Sequence, residues 1–159
     1  MDKIDVSILQ ILQRRGRINN ADLAEKVGLS ASACHRRVRV LEASGIISSY
    51  VALLSAEKLG MTSSVFVQVT LENQRRENLS RFEEAITHCP EIMECFLMTG
   101  DADYLLRVSV RDAADYERLH HGVLTRLPGV KRVNSNYAIR KVFRRTALPL
   151  AASEANQGR

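Results

Sequence analysis

The apolar positions change period partway along the chain. Ile4, Ile8, Leu9, Ile11 and Leu12 make a broad stripe at helical spacing and predict an amphipathic helix over residues 2–15. Asp2 stands where it can cap that helix, Asp5 adds negative charge in its first turn, and Gly16 supplies a stop. Ala21, Leu23, Ala24 and Val27 give a short second helix over residues 20–27, capped by Asn19 or Asn20. Gly28 follows, free to adopt positive φ in a tight turn. Ser30 caps a third helix over residues 31–44. There Cys34, Val38 and Leu41 share a buried face, Ser32, His35, Arg36 and Arg39 lie opposite, and Arg37 lies to one side. Gly45 ends it. Residues 46–54 read as an extended hairpin or wing, and residues 55–60 as a linker.

From residue 61 the pattern alternates. Val65, Val67, Val69 and Leu71 interleave with Ser64, Phe66, Gln68 and Thr70, the signature of a half-buried strand. Leu79, Phe82, Ile86 and Cys89 return to helical spacing, and Pro90 ends that segment. Residues 92–98 and 104–110 are strands around a turn at Thr99-Gly100-Asp101-Ala102. Tyr116, Leu119, Val123 and Leu127 mark a further helix, stopped by Pro128-Gly129, and residues 130–142 form a last long strand. The order β-α-β-β-α-β predicts a four-stranded antiparallel sheet with two helices on one face, the ferredoxin-like arrangement. Phe66, Leu105 and Ala138 fall on the opposite, open face, which calls for cover by a partner subunit. The fold class is therefore α+β. A winged helix-turn-helix over 1–60 precedes a ferredoxin-like domain over 61–145, and the polar tail, 146–159, is expected to be disordered.

Composition narrows the class. A chain of 159 residues with 45% apolar and 26% charged residues suits one average globular domain or two small ones, and two small ones gain from oligomerisation. Its apolar runs fall far short of a membrane span, and the opening Met1-Asp2-Lys3-Ile4-Asp5 does not resemble a secretion signal, so a cytoplasmic protein is expected. Three cysteines without paired spacing argue against a disulfide framework. With no CxxC and with His120 adjacent to His121, neither a metal site nor a cofactor is expected. The net charge of +5 is unevenly spread. Residues 1–50 carry eight basic and five acidic side chains, residues 61–139 nine and eleven, and residues 140–159 five and one. Basic ends around an acidic middle point to a polyanion partner.

The third helix gives that partner a form. A short helix, a glycine turn and a helix with a polar, basic face make a helix-turn-helix, whose second member enters the major groove of double-stranded DNA. Ser30, Ser32, His35, Arg36, Arg37 and Arg39 are the candidate contacts. Ser32, His35 and Arg36 are placed for base edges, Arg37 and Arg39 for phosphates or guanine. A plain trihelical bundle with a solvated arginine face has the same pattern. The run Arg140-Lys141-x-x-Arg144-Arg145 is either a further DNA contact or a solvated strand end. Asp101 and Asp103 form a pair of acids without a His, Ser or third acid spaced to act with them. No phosphate-binding glycine loop occurs, so an enzyme is not expected.

Several ordered stretches resemble the Lrp/AsnC (feast/famine) family of regulators. They are Asp2-x-x-Asp5-x-x-Ile8-Leu9, Asp22-Leu23-Ala24-x-x-Val27-Gly28-Leu29-Ser30, the helix from Ser30 through Gly45-Ile46-Ile47, Gly100 through Val108, and Leu127-Pro128-Gly129-Val130 followed by Ser135. Together they span about residues 2–142. The resemblance implies a transcriptional regulator whose second domain binds an amino acid or related small effector at the turn after the second strand. It puts Thr99, Gly100, Asp101, Asp103 and Ser135 in that site. It also implies homodimers that assemble into octamers. Ala31, Ala102 and Asn134-Ser135-Asn136 depart from the family pattern. The Asn134-Ser135-Asn136 stretch, together with the basic ends, leaves open an architectural, nucleoid-type DNA-binding protein without effector response.

Overall fold

The computed structural model describes residues 1–151. The remainder of the expected tail, 152–159, lies outside the described residues. The chain forms two compact units, Met1–Leu53 together with the chain from Phe143 onward, and Leu54–Val142.

The first unit is trihelical. Helix α1 (Lys3–Leu12) begins in a capping box: the Asp2 carboxylate accepts from the Asp5 amide, and the Asp5 carboxylate from the Asp2 amide. Helix α2 (Asn20–Val27) is capped by Asn19, and α3 (Ala31–Ala43) by Ser30. Ile8, Leu9, Leu23, Ala24, Cys34 and Leu41 make the core. Between α2 and α3 the Asn20 amide donates to the Ala31 carbonyl at 2.8 Å, and Gly28 sits in the left-handed region at φ 69°. No neighbouring atom lies within 4 Å of a Cβ built there, so Gly28→Ala meets backbone strain alone. Chemical denaturation of Gly28→Ala is expected to show a loss of about 1 kcal/mol, and an unchanged midpoint would refute the strain account.

Two expectations fail in this unit. Residues 46–54 form no strand; instead Ile47 donates to the Leu41 carbonyl at 3.2 Å, and the Tyr50 hydroxyl to Glu42 at 3.1 Å, so this stretch is a wing without a ladder. Nor do residues 146–151 behave as a free tail. Leu150 packs on the trihelical core, and the Leu148 backbone is held by Gln13. Two leucines flanking a proline were apolar enough to dock, which a composition-based reading averaged away.

The second unit is a four-stranded antiparallel sheet in the order β2-β3-β1-β4. The strands are β1 (Ser63–Leu71), β2 (Ile92–Leu97), β3 (Tyr104–Val110) and β4 (Val130–Tyr137). Helices α4 (Arg76–Thr87) and α5 (Ala113–Gly122) supply Phe82, Ile86, Tyr116 and Leu119 to a core built on Val65, Val67, Val69, Leu106, Val108 and Val110. Each fully buried side chain of this size contributes roughly 1.5–3 kcal/mol. Helix α4 starts three residues before the first apolar position of its stripe, with the polar turn Arg76-Glu77-Asn78. Strand β4 stops at Tyr137, five residues short of expectation, and Arg140, Lys141, Arg144 and Arg145 follow as exposed irregular chain. The Arg145 guanidinium lies over the Phe143 ring, 5.1 Å from its centroid.

The sheet face opposite the helices carries Phe66 and Phe96, 38% and 50% exposed. Cross-strand partners share a face, so Phe66↔Arg107, Gln68↔Leu105 and Thr70↔Arg132 all lie on it. Leu105 and Ala138 belong to it as expected, with Ala138 donating to the Ser64 carbonyl at 2.9 Å.

Candidate DNA-binding and effector sites

Helix α3 turns its first-turn and middle polar residues to solvent. Ser32, His35, Arg36 and Arg39 are all exposed, while Cys34 and Leu41 are buried beneath them. Ser30 is occupied as the cap: its hydroxyl accepts from the Ala33 amide at 3.3 Å. Arg37 departs from the DNA-contact expectation. Its guanidinium reaches back to α1 and pairs with Asp2 at 2.7 Å and Asp5 at 2.8 Å. The hydrogen bonds that Arg37 donates to Asp5 and Asp2 raise its pKa. The Asp5 amide, with Arg37 behind it, lowers that of Asp2. Arg37 thus locks the recognition helix to the capping box of α1, and the basic face left for a phosphate or a base is Arg36 and Arg39.

In the second unit a cavity of 320 Å³ opens on the helix-free face, where the β2–β3 turn meets the sheet. Met98, Thr99, Asp101 and Ala102 of the turn line it. So do Gln68 and Thr70 of β1, Leu105 of β3, and Arg132 and Asn134 of β4. The register assembles the floor: Gln68 pairs with Leu105 on one side and Asn134 on the other, and Thr70 pairs with Arg132. The Asn134 amide donates to the Gln68 side chain at 3.5 Å. Gly100 takes φ 121° at the apex of the turn, in open space. The cavity holds one carboxylate, Asp101, and one guanidinium, Arg132; among the described residues neither has an ion-pair partner.

Two expected effector residues lie elsewhere. Ser135 pairs with Val67 and so faces the helices, where its hydroxyl shares a hydrogen bond with that of Tyr116. Asp103 is buried, 5% exposed, and accepts from the Leu71 amide and from the Gln74 side chain, both at 2.6 Å. Its own amide donates to Val69 at 2.9 Å, and its carbonyl accepts from Met98 at 2.8 Å. Asp103 is the bolt that fixes the turn to the end of β1. Gln68, Thr70, Leu105, Arg132 and Asn134 were not singled out beforehand as site residues. The alternation along β1 put Gln68 and Thr70 on the open face, but only the pairing register brings β4 beside them.

A helix-turn-helix with an exposed basic face, joined to a sheet unit with a small polar cavity, defines a two-domain class of DNA-binding regulator. Family models agree: one described as winged helix-turn-helix DNA-binding matches residues 1–48, and one described as Lrp/AsnC ligand binding domain matches residues 64–148. The chain belongs to the Lrp/AsnC family of transcriptional regulators. It is 48% identical over 150 residues to the Bkd operon transcriptional regulator of Pseudomonas aeruginosa, covering 94% of this chain and 98% of that protein. It is 43% identical over 142 residues to the leucine-responsive regulatory protein of Haemophilus influenzae, covering 89% and 86%. Among solved structures, a Neisseria meningitidis transcriptional regulator in complex with L-Met aligns with a TM-score of 0.89 at 34% identity, covering 94% of this chain and 96% of that one.

Proposed function

We propose that this regulator binds double-stranded DNA sequence-specifically through Ser32, His35, Arg36 and Arg39, and that its second unit takes an amino acid in the cavity at the β2–β3 turn. The observation that carries the effector half is the charge content of that cavity. Asp101 suits an α-ammonium and Arg132 an α-carboxylate, while Met98, Ala102, Leu105, Gln68 and Asn134 leave the rest uncharged. Its volume of 320 Å³ is at the small end of ligand pockets, roughly 300–1,000 Å³, which fits a single free amino acid with a neutral side chain. The L-Met complex of the meningococcal relative is a ligand of that kind. A second copy of the chain covers Phe66 and Phe96, and dimers assemble into an octamer, as the family resemblance implies. The protein works in the cytoplasm.

Calorimetry with a panel of free amino acids tests the effector half. A neutral amino acid is expected to bind, and Asp101→Asn and Arg132→Gln are each expected to weaken it by at least about tenfold. Heat from none of the panel would defeat the effector reading and leave an architectural DNA-binding protein. For the DNA half, anisotropy on the upstream region of its own gene should give binding at least about 10³-fold tighter than to random DNA. Equal affinity for both would defeat specificity on that fragment.

A further inference from the structure

The first unit contains a groove that holds the chain's own C-terminal segment. It is lined by Leu9 and Leu12 of α1, by Gln13 at the helix's C-cap, and by Ile46, Ile47 and Tyr50. Thr146, Leu148 and Leu150 lie in it. The recognition is of main chain as well as side chain. The Gln13 carboxamide is used at both ends: its oxygen accepts from the Leu148 amide at 2.6 Å, and its nitrogen donates to the Leu148 carbonyl at 3.4 Å. One side chain thereby reproduces the paired bonds that a neighbouring strand would make. Gln10, one helical turn earlier on the same face, donates to the Leu150 carbonyl at 3.1 Å. Pro149 stands between the two held residues, has no N–H to satisfy, and narrows the conformations lost on docking. Leu150 is half-buried against the core that also receives Cys34 and Leu41 of the recognition helix, whereas Leu148 is 69% exposed.

We propose that Thr146–Leu150 is a strap that completes the DNA-binding unit, and that DNA binding depends on its being docked. The groove's occupant is this segment of the chain itself: its backbone matches the Gln10 and Gln13 amides, and its second leucine seals the apolar floor. The unit is therefore discontinuous in sequence, built from two stretches separated by the sheet unit.

The test uses the full-length chain. Gln13→Ala and Leu150→Asp release the strap, while Leu148→Ser, which keeps the main-chain bonds to Gln13 and changes only a side chain that is 69% exposed, is the control. Hydrogen exchange is expected to run about tenfold faster at residues 9–13 and 46–50 in the first two variants. The β1 amides of Val65–Leu71 keep their protection, which separates release from global unfolding. Affinity for the upstream DNA fragment is expected to fall severalfold in both variants and to hold in the control. Unchanged exchange in Gln13→Ala and Leu150→Asp would overturn the strap, as would an equal effect of Leu148→Ser. Faster exchange with unaltered DNA affinity would overturn the dependence of DNA binding on it.

Discussion

Asp103→Ala is expected to destabilise the second unit by about 3 kcal/mol, measured by denaturant unfolding. The Asp103 carboxylate is removed from water and accepts two hydrogen bonds of 2.6 Å, one from the Leu71 amide and one from Gln74. Alanine strands a main-chain donor at the end of the central strand β1 and frees Gln74, and an unsatisfied buried donor costs on the order of 1–3 kcal/mol in addition to the lost charge-assisted bond. Asp103→Asn should be milder, about 1 kcal/mol. One oxygen can still accept from Leu71, and the Gln74 amide can turn over to meet the new NH₂. Asp101→Ala, two residues away in the exposed turn, should change stability by less than about 0.5 kcal/mol while abolishing ligand heat. If Asp103→Ala unfolded like the parent, or if Asp101→Ala cost as much, the division between bolt and ligand group would be wrong.

The second large effect is on DNA. Arg36→Ala is expected to weaken specific binding by about 5- to 150-fold and to relax preference at one base position, the range for loss of one bidentate guanine contact. Arg39→Ala should weaken specific and random DNA alike and reduce the salt slope by about one phosphate. Arg37→Ala should behave differently from both. Its guanidinium is spent on Asp2 and Asp5, so its loss should lower the melting temperature of the first unit and leave base preference intact. Anisotropy titrations across a salt series on matched and mutated fragments separate the three. Unchanged specific binding in both Arg36→Ala and Arg39→Ala would remove α3 from the interface.

Much of this was legible in the residues because local chemistry and tertiary structure agree. Strand β3 occupies the expected Tyr104–Val110, and Asp2, Asn19 and Ser30 each cap the helix that follows them. What escaped was set by partners distant in sequence. Arg37 stands to one side of the basic face in the helical pattern, but only α1 folded against it supplies the carboxylates it pairs with. Ser135 and Asn134 are adjacent, yet the pleat sends one under the helices and the other into the cavity. Asp103 reads as half of an exposed acidic pair, and only the fold supplies the Leu71 amide that buries it. Family resemblance pointed to the turn as a whole, but it could not distinguish Asp101, which lines the cavity, from Asp103, which holds the turn in place.

The docked C-terminal segment also bears on how the protein is made. Gln13 and Leu148 are 135 residues apart, with the whole sheet unit between them. Closing so long a loop in an unstructured chain carries a large entropic cost, and folding the intervening unit first shortens the effective loop. During synthesis, at about 5–20 residues per second, α1 emerges well before Leu148 and Leu150, which dock against it. The three-helix core therefore gains the packing of Leu150 only after residues 146–150 have been made, so a translation product truncated before them carries α3 on an incomplete domain.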